Sequence, residues 1–179
     1  ISTENYKFHA LVRDDSHTDE LSDLGVNVIL GDATSEEDIK NFISGVKESG
    51  EIHAILHCVG SFAVRPPHAM NKEAFEAVIS TNLTSAFLTL SIAGKAMLSQ
   101  GHGRMVFMSS VAGSLGLVNH EAISAAKGGI ESMVRSAAAT YANRGLRINA
   151  VAPGLTDTKL ASPIMSNETA SQAASQKIP

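Results

Sequence analysis

Arg13-Asp14, Asp32-Ala33, Gly60, Ser109-Ser110 and Pro153-Gly154 each stand directly after a run of residues patterned as a β-strand. Where parallel strands alternate with helices, ligands bind beyond the carboxyl ends of the strands, so these five places are where chemistry would gather. Cys58, the single cysteine, lies within such a strand end and reads as a small buried residue rather than a nucleophile. His53 and His57 are four positions apart, a spacing that suits a metal on a helix. On a strand they are about 13 Å apart at roughly 3.3 Å per residue, too far for shared ligation. His9, His17, His68 and His102 show no ligand spacing, and no metal is expected.

The elements that must position these residues follow from periodicity. Strands are predicted at residues 8–12, 25–30, 52–59, 105–108 and 147–151. Ser35 is a good helix cap, with Glu36, Glu37 and Asp38 on a first turn that the helix dipole favours. The helix behind it places Ile39, Phe42, Ile43 and Val46 on one face and ends near Gly50. A long helix begins near Asn71, with Phe75, Val78, Ile79, Leu83, Phe87, Leu90 and Met97 at helical spacing. Another spans residues 121–142. The loop at 61–69 holds Pro66 and Pro67, and the tail from Ala161 reads as a flap or short helix. Strands alternating with helices of this length predict an α/β fold, a doubly wound parallel sheet of Rossmann type. No linker or repeat divides the chain, so residues 1–179 read as one domain.

Composition narrows the function. Of 179 residues, 44% are apolar and 18% charged, enough to build a core. Fourteen basic against eighteen acidic residues, with no Lys/Arg block, argue against a nucleic-acid or anionic-membrane surface. One cysteine excludes an internal disulfide framework and fits a reducing, cytoplasmic compartment. No uninterrupted apolar run approaches the roughly 18 residues of a membrane helix, and the first residues do not resemble a signal peptide.

At the strand ends the sequence resembles the classical short-chain dehydrogenase/reductase family and is similar to its 3-oxoacyl-acyl-carrier-protein reductase-like members. His57-Cys58-Val59-Gly60 looks like the family's Asn-Asn-Ala-Gly turn, with Gly60 alone identical. Asn82, in Ser80-Thr81-Asn82-Leu83, matches the catalytic asparagine, and Ser110, in Ser109-Ser110-Val111-Ala112-Gly113, matches the catalytic serine. Lys127 matches the lysine of the Tyr-x-x-x-Lys motif. The stretch Arg147-Ile148-Asn149-Ala150-Val151-Ala152-Pro153-Gly154 resembles the late strand and Pro-Gly turn. Each motif alone is weak; five in the correct order and spacing are not.

That resemblance implies hydride transfer between a nicotinamide and a carbonyl or secondary alcohol. Negative charge grows on the oxygen, which needs a positioned donor and an acid. By resemblance Ser110 polarises the oxygen, Lys127 holds the nicotinamide ribose and Asn82 supports a proton relay. It further implies that Asp32 lies beside the adenine ring, that Gly60, Pro153 and Gly154 shape the cofactor cleft, and that Thr158 meets the carboxamide. The absence of an acid at Val12, with Arg13 next to it, leans towards NADP over NAD through the 2′-phosphate, although Arg13 reads nearly as well as a solvated strand-end charge.

Two departures stand out. The tyrosine position is Ile123, which donates no proton. Tyr141 lies about 27 Å further along the helix at roughly 1.5 Å per residue, and Tyr6 precedes the first strand. His120, three residues before Ile123, is placed to share its helix face and titrates near neutrality, so it is the candidate acid; the alternative is an exposed helix-start residue. The sequence also shows no Thr-Gly-x-x-x-Gly-x-Gly turn, which in the family cradles the pyrophosphate. The expected fold therefore lacks the first β–α unit and the C-terminal end, with a strand missing between those at Phe8 and Ile52. Two functions remain open: an oxidoreductase on a small carbonyl or alcohol substrate, or a catalytically impaired relative that binds nucleotide or assembles with other subunits. A homodimer or homotetramer is expected, built on the helices from Asn71 and Glu121, with Ala125, Ala126, Gly129 and Ala137 as a small-residue face.

Overall fold

Side-chain capping sets the helix starts. In the computed structural model, which describes residues 6–16 and 18–162, Ser35 Oγ accepts a hydrogen bond from Asp38 N (3.2 Å) and opens a helix at Glu36. Asn71 Oδ1 does the same for Ala74 N (3.0 Å) ahead of Lys72. The strands are β1 (Phe8–Val12), β2 (Val26–Leu30), β3 (Ala54–His57), β4 (Gly103–Met108) and β5 (Leu146–Val151). The helices are α1 (Thr18–Asp23), α2 (Glu36–Glu48), α3 (Lys72–Ile79), α4 (Ser85–Gln100) and α5 (Glu121–Tyr141). Periodicity did not reveal α1, which is a short polar helix with no buried residue.

All pairings are parallel, as expected of an α/β fold. They fall into two groups: β1 with β2, and β3–β4–β5. Among the described residues β1 and β3 are not paired with one another. One apolar core nevertheless joins both groups. Ile39 and Ile43 of α2, Ala86, Ala93 and Met97 of α4, Met105 and Phe107 of β4, Ile130 of α5 and Ile148 of β5 pack together, with Leu11 and Ile55 against them. The Gln100 side chain grips the chain before β3, accepting from Ile52 N (3.0 Å) and donating to Ile52 O (3.1 Å).

The long helix expected from Asn71 forms, but not as one regular α-helix. A π-turn at Ser80–Thr84 joins α3 to α4 and carries the buried Asn82. The combined run Lys72–Gln100 is long and apolar enough, by length and composition, to cross a membrane. Within that run Ala86, Leu90, Ala93, Ala96 and Met97 are buried in the core.

Two burial expectations are corrected. Cys58 is exposed, not buried: it follows β3, whose last residue His57 turns inward, so the alternation of the strand sends Cys58 to the other side. The small-residue face of α5 is also largely spent inside the chain. Ala126 and Ala137 are buried, and Gly129 packs on Leu83; Ala125 alone of the four is exposed. From residue 163 onward the expected flap lies outside the described residues.

Candidate active site

Ser110 sits where β4 ends but pairing continues. Ser109 N donates to Val151 O (2.7 Å) and Val111 N donates to Pro153 O (3.0 Å), so Ser110 is bracketed by two ladder bonds that also tie in Pro153-Gly154. Its Oγ accepts from Ala112 N (3.2 Å) and caps the short turn Val111–Gly113. The hydroxyl proton of Ser110 has no partner among the described residues.

Lys127 is held at both ends by the same strand terminus. Its backbone carbonyl accepts from Ser109 Oγ (3.1 Å), and its buried ammonium donates to Met108 O (2.8 Å). One of three N–H donors is thus used. Burial pushes the Lys127 ammonium below the usual lysine range, and nearby Cys58 acts in the opposite direction. Glu131, one turn on, accepts from Ser114 Oγ (2.8 Å) and shares the single Ser109 hydroxyl hydrogen with the Lys127 carbonyl (Oε1 2.9 Å from Oγ), closing the turn against α5.

Asn82 holds the loop after β3. Its Oδ1 accepts from Ser61 N (3.2 Å), while Nδ2 donates to Ser61 Oγ (2.9 Å) and Val78 O (2.9 Å). The π-turn makes this reach available by turning residue 82 out of α-helical register towards Gly60. A Cβ at Gly60 would lie 3.0 Å from Asn82 Oδ1 and 3.4 Å from Lys127 Nζ. Gly60, Asn82, Lys127 and Met108 O therefore converge on one cradle, at the end of β4 that carries Ser110.

His57 belongs to this cluster, and its role was not legible from the sequence. It is buried, and its Nε2 lies 3.1 Å from Ser85 Oγ. Ser85 gives its only hydrogen to Thr81 O (2.6 Å), so Nε2 must be the donor of the pair and His57 is the neutral Nε2–H tautomer. Its Nδ1 is then a bare lone pair, buried without a partner. Burial, reinforced by the Lys127 charge, pushes its pKa down to about 4.

Ile123 is buried among Val78, Ala112, Ala122 and Ala126. His120 does not share its face within α5. It is the residue before the helix, with Nδ1 2.7 Å from Val118 O, and no hydrogen bond among the described residues joins it to Ser110 or Lys127. The reason is local: Asn119 takes a positive φ of 63° and turns the chain just before the helix starts.

At the other sheet group, Asp32 Oδ1 accepts from Thr34 N (2.7 Å) and Thr34 Oγ1 (2.8 Å). Those bonds, with the Arg13 charge beyond them, hold the Asp32 carboxyl below its usual range despite partial burial. Arg13 and Asp32 thus lie just beyond the ends of β1 and β2, close enough for their charges to act on one another. Thr158 is exposed and caps the turn Lys159–Ala161 through Ala161 N (3.3 Å). The donor set fits the sugar and carbonyl end of a nicotinamide cofactor: an ammonium with spare donors, a serine hydroxyl, and a glycine cradle that a Cβ would fill.

The parallel α/β domain thus sets Ser110, Lys127 and Asn82 around the carboxyl ends of β3 and β4. A family profile described as enoyl-(acyl carrier protein) reductase matches residues 7–179, and the chain belongs to the short-chain dehydrogenase/reductase family. It is 35% identical over 149 residues to cis-4-hydroxycyclohexanecarboxylate dehydrogenase of Sinomonas cyclohexanicum, covering 82% of this chain and 60% of that protein. It is 34% identical over 149 residues to 3-oxoacyl-[acyl-carrier-protein] reductase MabA of Mycobacterium tuberculosis, covering 83% and 60%. The crystal structure of levodione reductase superimposes with a TM-score of 0.85 at 28% identity, over 95% of this chain and 71% of that one. The chain thus spans about 60% of the length of the curated relatives it matches.

Proposed function

We propose that the protein is a nicotinamide-dependent oxidoreductase that interconverts a small carbonyl compound and its secondary alcohol, within a single domain over residues 1–179. The observation that carries this reading is the convergence of Lys127 Nζ, Asn82 and Gly60 at the strand terminus that ends in Ser110. A reduced nicotinamide, when bound, supplies the hydride. Ser110 donates its free hydroxyl proton to the substrate oxygen and stabilises the charge that develops there. Lys127 grips the ribose hydroxyls with its spare N–H donors. Asn82 holds Ser61 and Gly60 in place, so the cradle keeps its shape, and lies beside the path by which protons reach Lys127. Arg13 and Asp32 flank the adenosine end, where Arg13 favours the 2′-phosphate of NADP over NAD. Pro153, Gly154 and Thr158 border the carboxamide. His120 remains a candidate acid only if its ring swings away from Val118 O.

The names of the relatives, a dehydrogenase and a reductase, support an enzyme over a subunit that only assembles. Assembly into a homodimer or homotetramer would use the groove of about 470 Å³ between α4 and the end of α5, where Phe87, Leu90, Leu98 and Tyr141 alternate with Ser91, Lys95, Ser99 and Arg144, and a cytoplasmic location is part of the same reading. The test is direct. NADPH consumption is followed with a panel of ketones, beside fluorescence titration of NADPH and NADH. Turnover that falls at least about 100-fold in Ser110→Ala supports the reading; no binding of either nucleotide overturns it.

A further inference from the structure

β3 ends on a histidine at a place where packing alone asks for an apolar side chain. His57 is 3% exposed, and its ring lies against Phe107 of β4 with centroids 5.7 Å apart. Burying an imidazole there leaves Nδ1 without a partner among the described residues, a cost that an aliphatic residue would not incur. What His57 offers and an aliphatic residue does not is its Nε2–H, given to Ser85 Oγ (3.1 Å).

Ser85 stands where the π-turn closes. In an α-helix its N–H would bond to the carbonyl four residues back, that of Thr81. Here it donates to Ser80 O, five residues back, and the Ser85 hydroxyl takes the vacated place at Thr81 O (2.6 Å). The single hydroxyl hydrogen is thereby spent, and the buried Oγ receives its own donor from His57. Asn82 lies inside the same turn, fully buried, and binds Ser61 N (3.2 Å) and Ser61 Oγ (2.9 Å). The terminus of β3 is therefore tied to the π-turn twice, at His57 through Ser85 and at Ser61 through Asn82. Between the two ties lies Gly60, where a Cβ would stand 3.0 Å from Asn82 Oδ1 and 3.4 Å from Lys127 Nζ.

We propose that His57 is a positioning residue of the nucleotide cradle: through Ser85 it holds the π-turn out of α-helical register, and the turn presents Asn82 to Ser61 and Gly60. Without the Nε2–H the Ser85 hydroxyl is free to leave Thr81 O. A return of the segment to α-helical register then rotates residue 82 away from the loop that it clamps.

The link to the nucleotide rests on the oxidoreductase reading, so one readout is independent of it. Amide exchange at Ser61, whose N–H is held by Asn82, is measured in the full chain by nuclear magnetic resonance, and NADPH affinity by fluorescence titration. In His57→Leu and in Ser85→Ala, exchange at Ser61 is expected to accelerate about tenfold or more while the amides of β4 and β5 keep their wild-type rates. NADPH affinity is expected to fall about tenfold in each, and no further in the double variant, because both changes break one chain of contacts. His57→Gln carries an amide N–H at about the reach of Nε2 and is expected to restore both readouts, which a role in packing alone would not predict. Wild-type exchange at Ser61 in Ser85→Ala, or losses that multiply in the double variant, overturns the assignment even where His57→Leu fails to fold. Failure of the wild-type chain to bind NADPH overturns the oxidoreductase reading instead, and the Ser61 rates still decide whether His57 holds the turn.

Discussion

Gly113 and Gly128 meet backbone to backbone: a Cβ on Gly113 would lie 2.9 Å from Gly128 N, and one on Gly128 would lie 3.1 Å from Gly113 O. This contact seats α5 on the turn after Ser110 and so sets where Lys127 stands. Gly113→Ala forces the two backbones apart and should cost about 1–3 kcal/mol. It should also weaken NADPH binding. Thermal unfolding and fluorescence titration of the same variant check both, and an unchanged melting temperature would refute the packing argument.

Gly60→Ala tests the cradle separately from stability. The added methyl would crowd Asn82 Oδ1 at 3.0 Å and Lys127 Nζ at 3.4 Å, both side-chain ends that can shift a little. The expected outcome is a loss of nucleotide affinity of about tenfold or more with less than about 1 kcal/mol of destabilisation. Equal affinity for wild type and variant would place the nucleotide elsewhere.

His57 makes the fold sensitive to acid. Its folded-state pKa of about 4 lies below the ordinary 6.5, so the unfolded chain binds the proton more readily. The stability tied to its neutral form is complete above pH 6.5 and is lost progressively as pH falls towards 4. The size is on the order of 3 kcal/mol over that window. Urea unfolding at pH 7 and pH 5 should show this slope in the wild type and a shallower one in His57→Asn.

Asn82 ties the π-turn to the loop after β3 through two hydrogen bonds to Ser61, and to α3 through a third, to Val78 O. Asn82→Ala leaves Ser61 N and Val78 O without that partner in a buried place, at a cost of about 1–3 kcal/mol. Amide exchange at Ser61 should accelerate in the variant. If it does not, the clamp is not what holds the loop.

Ile123 fills an apolar cluster with Val78, Ala112 and Ala126. Ile123→Ala should cost about 2–4 kcal/mol through the cavity it opens. In Ile123→Tyr the larger side chain must push its hydroxyl out of that cluster towards Lys127. Gain of ketone reduction there, measured against wild type, would mark the scaffold as otherwise intact.

The order of chemistry along the chain was readable from the sequence because it depends on local rules. Ser35 and Asn71 start helices by capping, apolar periodicity marks α2 and α5, and Gly31 and Ser109 directly follow β2 and β4. Ser110, Lys127 and Asn82 were named through their match to the motifs of the short-chain dehydrogenase/reductase family, not through local rules. Tertiary structure alone decided the rest. That Cys58 faces out while His57 is buried depends on which flank of β3 is covered. The tautomer of His57 follows from a hydroxyl 28 residues away, and the position of His120 from a positive φ at Asn119. Ala126 and Ala137 looked free to meet another subunit until α5 was seen packed in the core. Periodicity says that a face is apolar or small; only the packing of non-neighbouring segments says what covers it, because burial and hydrogen-bond partners are set by residues distant in the chain.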